Sequence, residues 1–576
     1  MSDTTGPRIL VANRGEIAVR VFRTCRELDI PSIAVYSEVD RDALHVEEAD
    51  EAYFLGPAAP AESYLNVERL LEAAAKGRAT MVHPGYGFLA ENADFARAVA
   101  DAGMTFIGPP PRAMEMLGDK AEARRTAVRA GAPVVPGTDG PVDAAQARAE
   151  AERIGFPLVV KAAFGGGGKG MRLVEAADDL DEAVERSARE AKAYFGRPEV
   201  YLERYIARAH HVEAQILADA HGHISFLGER DCSMQRRYQK LVEEAPSPVV
   251  DEALRARIGE AATSIAREAG YVNAGTVEFL VEPGGSFYFM EVNARLQVEH
   301  PVTEMVTQLD LVRHQIRVAL GEEVDLQPAS RGHAIECRLN AEDPYRDFLP
   351  SPGLVTRLDR PGGSFVRLDA GVTQGRAVAG NYDSLFGKLI VWAETRELAR
   401  RRMLRALREL DLEGIPSTIP FHEWALDSEE FRTGTVHTKW VEEALEAGRF
   451  ASPEGAAAAA AAAPAAQTVR LMVEVDGHRI PVKLWGDAMR TAPSPPASTS
   501  GAGADGGKVI EAPMQGTILK VLVENGQAIG AGDIVCILEA MKMENHIPAP
   551  LQGTVADVLV KAGDVVQAGQ TLAVIE

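Results

Sequence analysis

GTVEFLVEPGGSFYFMEVNARLQVEHPVTE, residues 275–304, reads as a β-hairpin that carries chemistry. Glu278 lies on the first strand, EPGG supplies the turn, and Glu291 and Asn293 lie on the return strand. Residues two apart share a face of a strand, so Glu291 and Asn293 point together. With EPGG as the loop, Val281 pairs with Ser286 and Glu278 faces position 289, diagonal to Glu291 on the same face. Two carboxylates and an amide form an oxygen-rich set suited to Mg2+ or Mn2+ bridging nucleotide phosphates. The plainer reading is a half-exposed hairpin with solvated acids, but the strands are dominated by apolar residues, which favours metal. Arg295, Gln297, Glu299 and His300 follow at once. Arginine can hold an anion, and Glu299 can act as a base if burial raises its pKa.

A second stretch, VVKAAFGGGGKGMRLV at 159–174, reads as a strand ending at Lys161, a glycine run and another strand. Bare backbone N–H groups approach phosphate oxygens only where no Cβ intervenes. The pattern is not GxxxxGK[ST], and a β-turn-β setting differs from a P-loop before a helix. Lys161 and Lys169 flank the glycines and weigh against a hairpin without a ligand. Upstream, RILVAN, GEIAVRVFRTCRELDI and SIAVYSE alternate strand, helix and strand, the pattern of an α/β layer. Its first turn, Asn13-Arg14-Gly15-Glu16, is not GxGxxG, so a dinucleotide reading is weak. HPGYGFLAEN (83–92), ERDCSMQRRYQKLVEEAP (229–246) and HAIECRLNAEDP (333–344) crowd charged and aromatic residues against apolar strands.

The chain has 576 residues, enough for several domains. Its 61 basic and 84 acidic residues give a net charge of −23, which argues against broad nucleic-acid or acidic-membrane binding. Cys25, Cys232, Cys337 and Cys536 form no CxxC pair and suggest neither a zinc site nor a disulfide framework. The N-terminus lacks a signal pattern, and there is no strongly apolar run of roughly 20 residues. The expectation is a soluble, cytoplasmic protein that binds neither nucleic acid nor membrane.

Two composition breaks follow residue 450. ASPEGAAAAAAAAPAAQ (451–467) reads as an Ala-rich linker, and 486–507, rich in Pro, Ser and Gly, as a flexible one. Between them, 468–485 alternates around Asp476-Gly477 as a small β-hairpin. The last block, 508–576, hides a repeat. IEAPMQGTILKVLVENGQAIGAGDIVCILE and IPAPLQGTVADVLVKAGDVVQAGQTLAVIE align without a gap at an offset of 37 residues. Two such halves can bury their apolar faces against each other as a pseudo-symmetric β-sandwich. The junction is AMKMENH, 540–546, with Lys542 expected near the tip of an exposed turn.

Lys542 between Met541 and Met543 resembles the acceptor of biotinyl carrier domains. Lipoyl carriers usually have Asp-Lys-Ala there, so the methionines favour biotin. The family's protruding thumb insertion is not apparent. Residues 1–450 resemble biotin carboxylase, an ATP-grasp enzyme, through ANRGEIA, HPGYGFLAEN, GDK, the glycine loop, HVEAQ, RDCSMQRR, MEVNARLQVEHPVTE and ECRLNAEDP.

The resemblance implies an α/β ATP-grasp biotin carboxylase with a C-terminal all-β biotinyl domain, a flattened β-sandwich, on a flexible linker. Its parts would be an N-terminal domain (1–119), a mobile lid (120–205) and a C-terminal domain (206–450). By resemblance, Lys120 and Lys161 contact ATP phosphates, and Gly167 and Gly168 cover them. Glu203, Arg204, Tyr205 and Ile206 form the hinge beside adenine; His211 and Gln235 lie near the ribose. Glu278, Glu291 and Asn293 hold two divalent metals. Arg295, Gln297 and Val298 bind bicarbonate, with Lys240 nearby. Glu299 resembles the base that deprotonates bicarbonate, and Arg338 the group stabilising the biotin enolate. Tyr238 departs from the family pattern, since bacterial members often have His there, near the nucleotide.

The resemblance further implies the biotin-containing α subunit of an acyl-CoA carboxylase, acting on acetyl-CoA or propionyl-CoA. A separate carboxyltransferase β subunit would complete a hetero-oligomer, with 468–485 as an expected docking element and a biotin protein ligase as modifying partner. Pyruvate carboxylase is the nearest rival. In its split form the carrier usually accompanies the carboxyltransferase, which disfavours it.

Overall fold

The computed structural model describes residues 6–138, 140–162, 172–195, 199–451, 469–475, 478–484, 508–512, 516–540, 543–566 and 570–576. It divides into two compact units, Met1–Ala447 and Gly448–Glu576.

The first unit opens with a five-stranded parallel sheet in the order Glu51–Gly56, Ser32–Ser37, Ile9–Val11, Met81–His83, Thr105–Phe106. The helix Gly15–Glu27 covers it with a stripe of Ile17, Ala18, Val21, Phe22 and Cys25, spaced three or four apart and buried. Several helices start on a side-chain cap: Asn66, Asn92, Asp119, Asp251 and Asp310 each accept a backbone N–H three residues on.

The platform of the unit is an eight-stranded antiparallel sheet. Its order is Phe287–Asn293, Asn273–Val281, His210–Ala218, Ile224–Arg236, Gln239–Ala245, His333–Asn340, Leu385–Ala393, Val366–Ala370. A separate three-stranded sheet, Arg172–Val174, Leu158–Ala162 and Val200–Arg204, packs with helices Ala144–Ile154 and Leu180–Phe195 around its own core of Ala147, Ala151, Leu158, Val160, Leu180 and Leu202. The helix Lys120–Arg129 instead gives Ala123 and Ala127 to the core built on the large sheet. Buried ion pairs tie the parallel layer to the platform. Arg20 donates to Glu304 at 2.7 Å and Asp310 at 2.8 Å, and Arg367 donates to Glu304 at 2.7 Å.

Glu244, on the platform, takes His333 at 2.6 Å and Arg396 at 2.7 and 2.9 Å. Burial raises its pKa, but the hydrogen bonds from His333 and Arg396 and the Arg396 charge outweigh burial and bring it down to about 2. A depressed carboxylate stabilises the fold above its unfolded pKa and loses that contribution as pH falls toward its folded one. Acid unfolding followed by circular dichroism should therefore show Glu244→Gln destabilised by about 3 kcal/mol at neutral pH, with the difference shrinking from about pH 4.5 to about 2.

In the second unit, Val469–Val475 pairs with His478–Leu484, Val475 opposite His478; Asp476 and Gly477 lie outside the described residues. The C-terminal block forms two four-stranded sheets. One runs Met543–Pro548, Ile534–Ala540, Gly516–Val521, Val565–Val566; the other runs Lys508–Glu511, Thr571–Ile575, Gly553–Val558, Ala528–Ile529. The repeat relates one sheet to the other, so each sheet draws strands from both halves. Leu538, Ile518, Val555 and Leu572 are buried. Ala540 stands opposite Met543 across the hairpin. Met541 and Lys542 lie outside the described residues.

Candidate active site

Four neighbouring strands of the platform place Glu291, Glu278, Glu213 and Arg230 in one row, each opposite the next. The register at its outer end corrects the sequence expectation. Val281 pairs with Phe287, not Ser286, and Phe279 with Phe289; a bulge then leaves Met290 extra, so Glu278 meets Glu291 directly rather than diagonally. Asn293 sits opposite Thr276 on the same face, as strand alternation requires.

So many buried charges persist because each is paired. Arg230, fully buried, donates to Glu213 at 2.5 Å, Gln215 at 2.7 Å, Thr303 at 2.9 Å and Thr276 at 3.1 Å. Lys240 Nζ reaches Glu213 at 2.6 Å, Glu278 at 2.8 Å and Glu299 at 2.7 Å. Arg338 bridges Glu243 at 2.5 Å and Glu299 at 2.9 Å. Glu299 therefore departs from expectation in one respect. Burial alone would raise its pKa, but Lys240, Arg338 and Arg230 hold it well below the usual carboxylate range. It is a fully buried carboxylate held in its ionised form.

The two hairpin carboxylates are split by their surroundings. Burial acts upward on Glu278, yet Lys240 and His211 (3.0 Å away) pull it far down. Burial raises Glu291, and the charge on Glu278 raises it further. This is a place where a divalent cation would relieve repulsion, and Asn293, whose Nδ2 donates to Glu278 at 2.9 Å, completes an oxygen-bearing set. The residues fit Mg2+. Donor atoms of His211, Glu213 and Glu278 also lie within 4.8 Å of one another, although Lys240 already bonds both acids.

Beside this set, Arg295 donates to Asn293 at 3.1 Å, Gln297 at 3.3 Å and Glu91 at 3.1 Å. Gln297 donates to Glu278 at 2.9 Å, and the Val298 carbonyl accepts from buried Lys388 at 2.7 Å. Lys120, first residue of its helix, reaches within 3.7 Å of Glu291. Lys161, on the small sheet, bonds Glu203. Arg204 turns its guanidinium onto Glu282 and Tyr288, and Tyr205 N donates to Pro157 O at 2.9 Å; Ile206 follows. Gln235 contacts His211 at 3.2 Å. Tyr238 stands exposed at a left-handed turn, φ 66°, with the Lys439 ammonium 4.8 Å from its ring. Gly167 and Gly168 lie outside the described residues. Glu91, Glu213, Arg230, Glu243 and Lys388 belong to this network too and carry no role in the sequence reading.

Four family models match the chain: Biotin carboxylase, N-terminal domain (5–114); Carbamoyl-phosphate synthase L chain, ATP binding domain (119–327); Biotin carboxylase C-terminal domain (336–443); and Biotin-requiring enzyme (508–575). The Biotin-dependent acyl-coenzyme A carboxylase alpha3 subunit of Mycobacterium leprae is 49% identical over 564 residues, 94% of either chain. The chain belongs to the biotin-dependent carboxylases. It joins biotin carboxylase domains to a biotinyl domain, and it is an ATP-dependent ligase that uses biotin, ATP and Mg2+. One pyruvate carboxylase subunit, from Methanothermobacter thermautotrophicus, is 50% identical over 440 residues, 76% of this chain and 89% of that one. Among solved structures, the biotin carboxylase of Campylobacter jejuni has a TM-score of 0.72 at 44% identity, covering 76% of this chain and 98% of that one. The biotin carboxylase domain of Hydrogenobacter thermophilus 2-oxoglutarate carboxylase, with MgADP and bicarbonate, also gives 0.72 at 44%, covering 77% and 99%. Among the described residues, no helix is long and apolar enough to cross a membrane.

Proposed function

We propose that this biotin carboxylase carboxylates biotin borne on Lys542 and supplies it to a separate carboxyltransferase β subunit that acts on an acyl-CoA, acetyl-CoA or propionyl-CoA. The observation that carries the choice is the Mycobacterium leprae relative, which is part of an acyl-CoA carboxylase and matches 94% of this chain, carrier included. The pyruvate carboxylase relative matches 76%. The hairpin at 468–485 is the proposed docking element.

In the proposed reaction, Lys120, Lys161, Gly167 and Gly168 gather the ATP phosphates, while Glu203, Arg204, Tyr205, Ile206, His211 and Gln235 hold the nucleoside. Glu278, Glu291 and Asn293 would hold Mg2+, which when bound would supply positive charge to offset that on the transferring phosphoryl group. Arg295, Gln297 and Val298 seat bicarbonate beside Lys240. Glu299 takes the bicarbonate proton; the freed oxygen attacks the γ-phosphorus, and ADP leaves. The carboxyphosphate so formed gives up its carboxyl group as its C–O bond to phosphate breaks, and the departing phosphate takes the proton of the biotin N–H. Arg338 holds the negative charge that develops on the ureido oxygen as that nitrogen bonds the carboxyl carbon.

Glu291→Gln should raise the Mg2+ concentration needed for half-maximal ATP turnover by about tenfold or more, through loss of a charged ligand (roughly 1.4 kcal/mol per tenfold). Substrate class is tested by combining the chain with its β subunit, then assaying acetyl-, propionyl- and longer acyl-CoAs against pyruvate. Acyl-CoA-dependent fixation of labelled bicarbonate is expected; turnover of pyruvate alone would overturn the reading.

A further inference from the structure

Behind Arg338 lies a carboxyl pair that the proposed reaction does not use. Glu243 and Glu336 stand directly opposite each other on antiparallel strands, both fully buried. Glu243 accepts Arg338 Nε–H through Oε1 at 2.5 Å. Its Oε2 and both oxygens of Glu336 have no hydrogen-bond partner among the described residues.

A buried carboxyl without partners is driven to its neutral form, and two side by side do not both ionise. The charged groups facing them come from every packed element: Lys388 from Leu385–Ala393, Arg338 from the strand of Glu336, Lys240 from that of Glu243, and Glu299 from the start of His300–Thr307. Burial pushes both acids up, Glu243 to about 7, with Glu299 adding to the rise. Because Arg338 grips Glu243 and no donor among the described residues reaches Glu336, the proton belongs on Glu336.

We propose that Glu243 is a positioning residue for Arg338, and that a proton held on Glu336 keeps the pair at a single negative charge. Arg338 is shared: Glu243 holds it at Nε, and Glu299 draws its Nη2 at 2.9 Å. When Glu299 takes the proton of bicarbonate it loses the charge that draws Nη2, while Glu243 keeps its grip. The guanidinium is then anchored at one end and free at the other, in the step before charge develops on biotin. This rests on the roles proposed above for Glu299 and Arg338.

The test measures carboxylated free biotin formed per ATP consumed by the full chain with bicarbonate and Mg2+. Glu243→Gln keeps shape and removes charge; the ratio should fall at least tenfold, whereas damage to the fold alone would lower both quantities together. A constant ratio overturns the proposal. Arg338→Gln separates the two levels. If it leaves the ratio intact, the role of Arg338 fails; if it lowers the ratio while Glu243→Gln does not, only the positioning role fails. Infrared difference spectra supply a readout that does not require Glu243→Gln to fold. A protonated-carboxyl band present in the unsubstituted chain should vanish in Glu336→Gln, and identical spectra would overturn the proton assignment.

Discussion

Glu299→Gln is expected to slow biotin- and bicarbonate-dependent ATP turnover by roughly 10²–10⁴-fold, the range lost with a positioned general base. The amide fills the same volume but cannot take a proton from bicarbonate. Glu299 is fully buried and is the meeting point of Lys240 and Arg338, at 2.7 and 2.9 Å. Removing its charge leaves two buried cations with one fewer partner, a change of the kind that costs about 3–5 kcal/mol. A thermal melt must therefore accompany the kinetics. Turnover should fall far more than the melt explains, and carbonate supplied at high pH should restore part of it, because the proton is then already gone. A variant that folds and turns over within threefold of the unsubstituted chain would remove Glu299 from the proposed chemistry.

Lys542→Arg carries the other large expectation. Arginine keeps the positive charge but offers no amine for amide formation with biotin, so acyl-CoA carboxylation by the assembled enzyme should drop to background. Carboxylation of free biotin should persist, because the proposed machinery for it belongs to residues 1–450. Intact-mass measurement after co-expression with a biotin ligase should show one biotin on the unsubstituted chain and none on the variant. Biotin on the variant would place the acceptor elsewhere.

What was legible in the sequence follows from geometry that a single strand dictates. Alternation was enough to put Glu291 and Asn293 on one face, and the offset of 37 residues was enough to expose the carrier repeat. Pairing between strands was less accessible. The bulge at Met290 depends on how the return strand meets its neighbour, so the expected diagonal of Glu278 and Glu291 became a direct pair. The repeat likewise showed which strands are equivalent, but not that each sheet takes strands from both halves. Glu213, Arg230 and Lys388 were missed for a further reason. HHVEAQILA is buried along its whole length, so no hydrophobic alternation marks which face its charges use. Their partners come from strands and helices far away in sequence: Arg230 meets Thr303, and Lys388 meets Val298. The signal that could have raised Glu213 is its spacing from His211 and Gln215, two residues on either side along one strand.

The central claim, that this chain itself activates bicarbonate with ATP and loads it on its own carrier, is tested most directly by labelling. The biotinylated chain alone, given MgATP and ¹⁴C-bicarbonate, should acquire ATP-dependent label on the peptide containing Lys542, and Glu299→Gln should not. A biotinylated, folded chain that hydrolyses ATP without labelling that peptide would contradict the account.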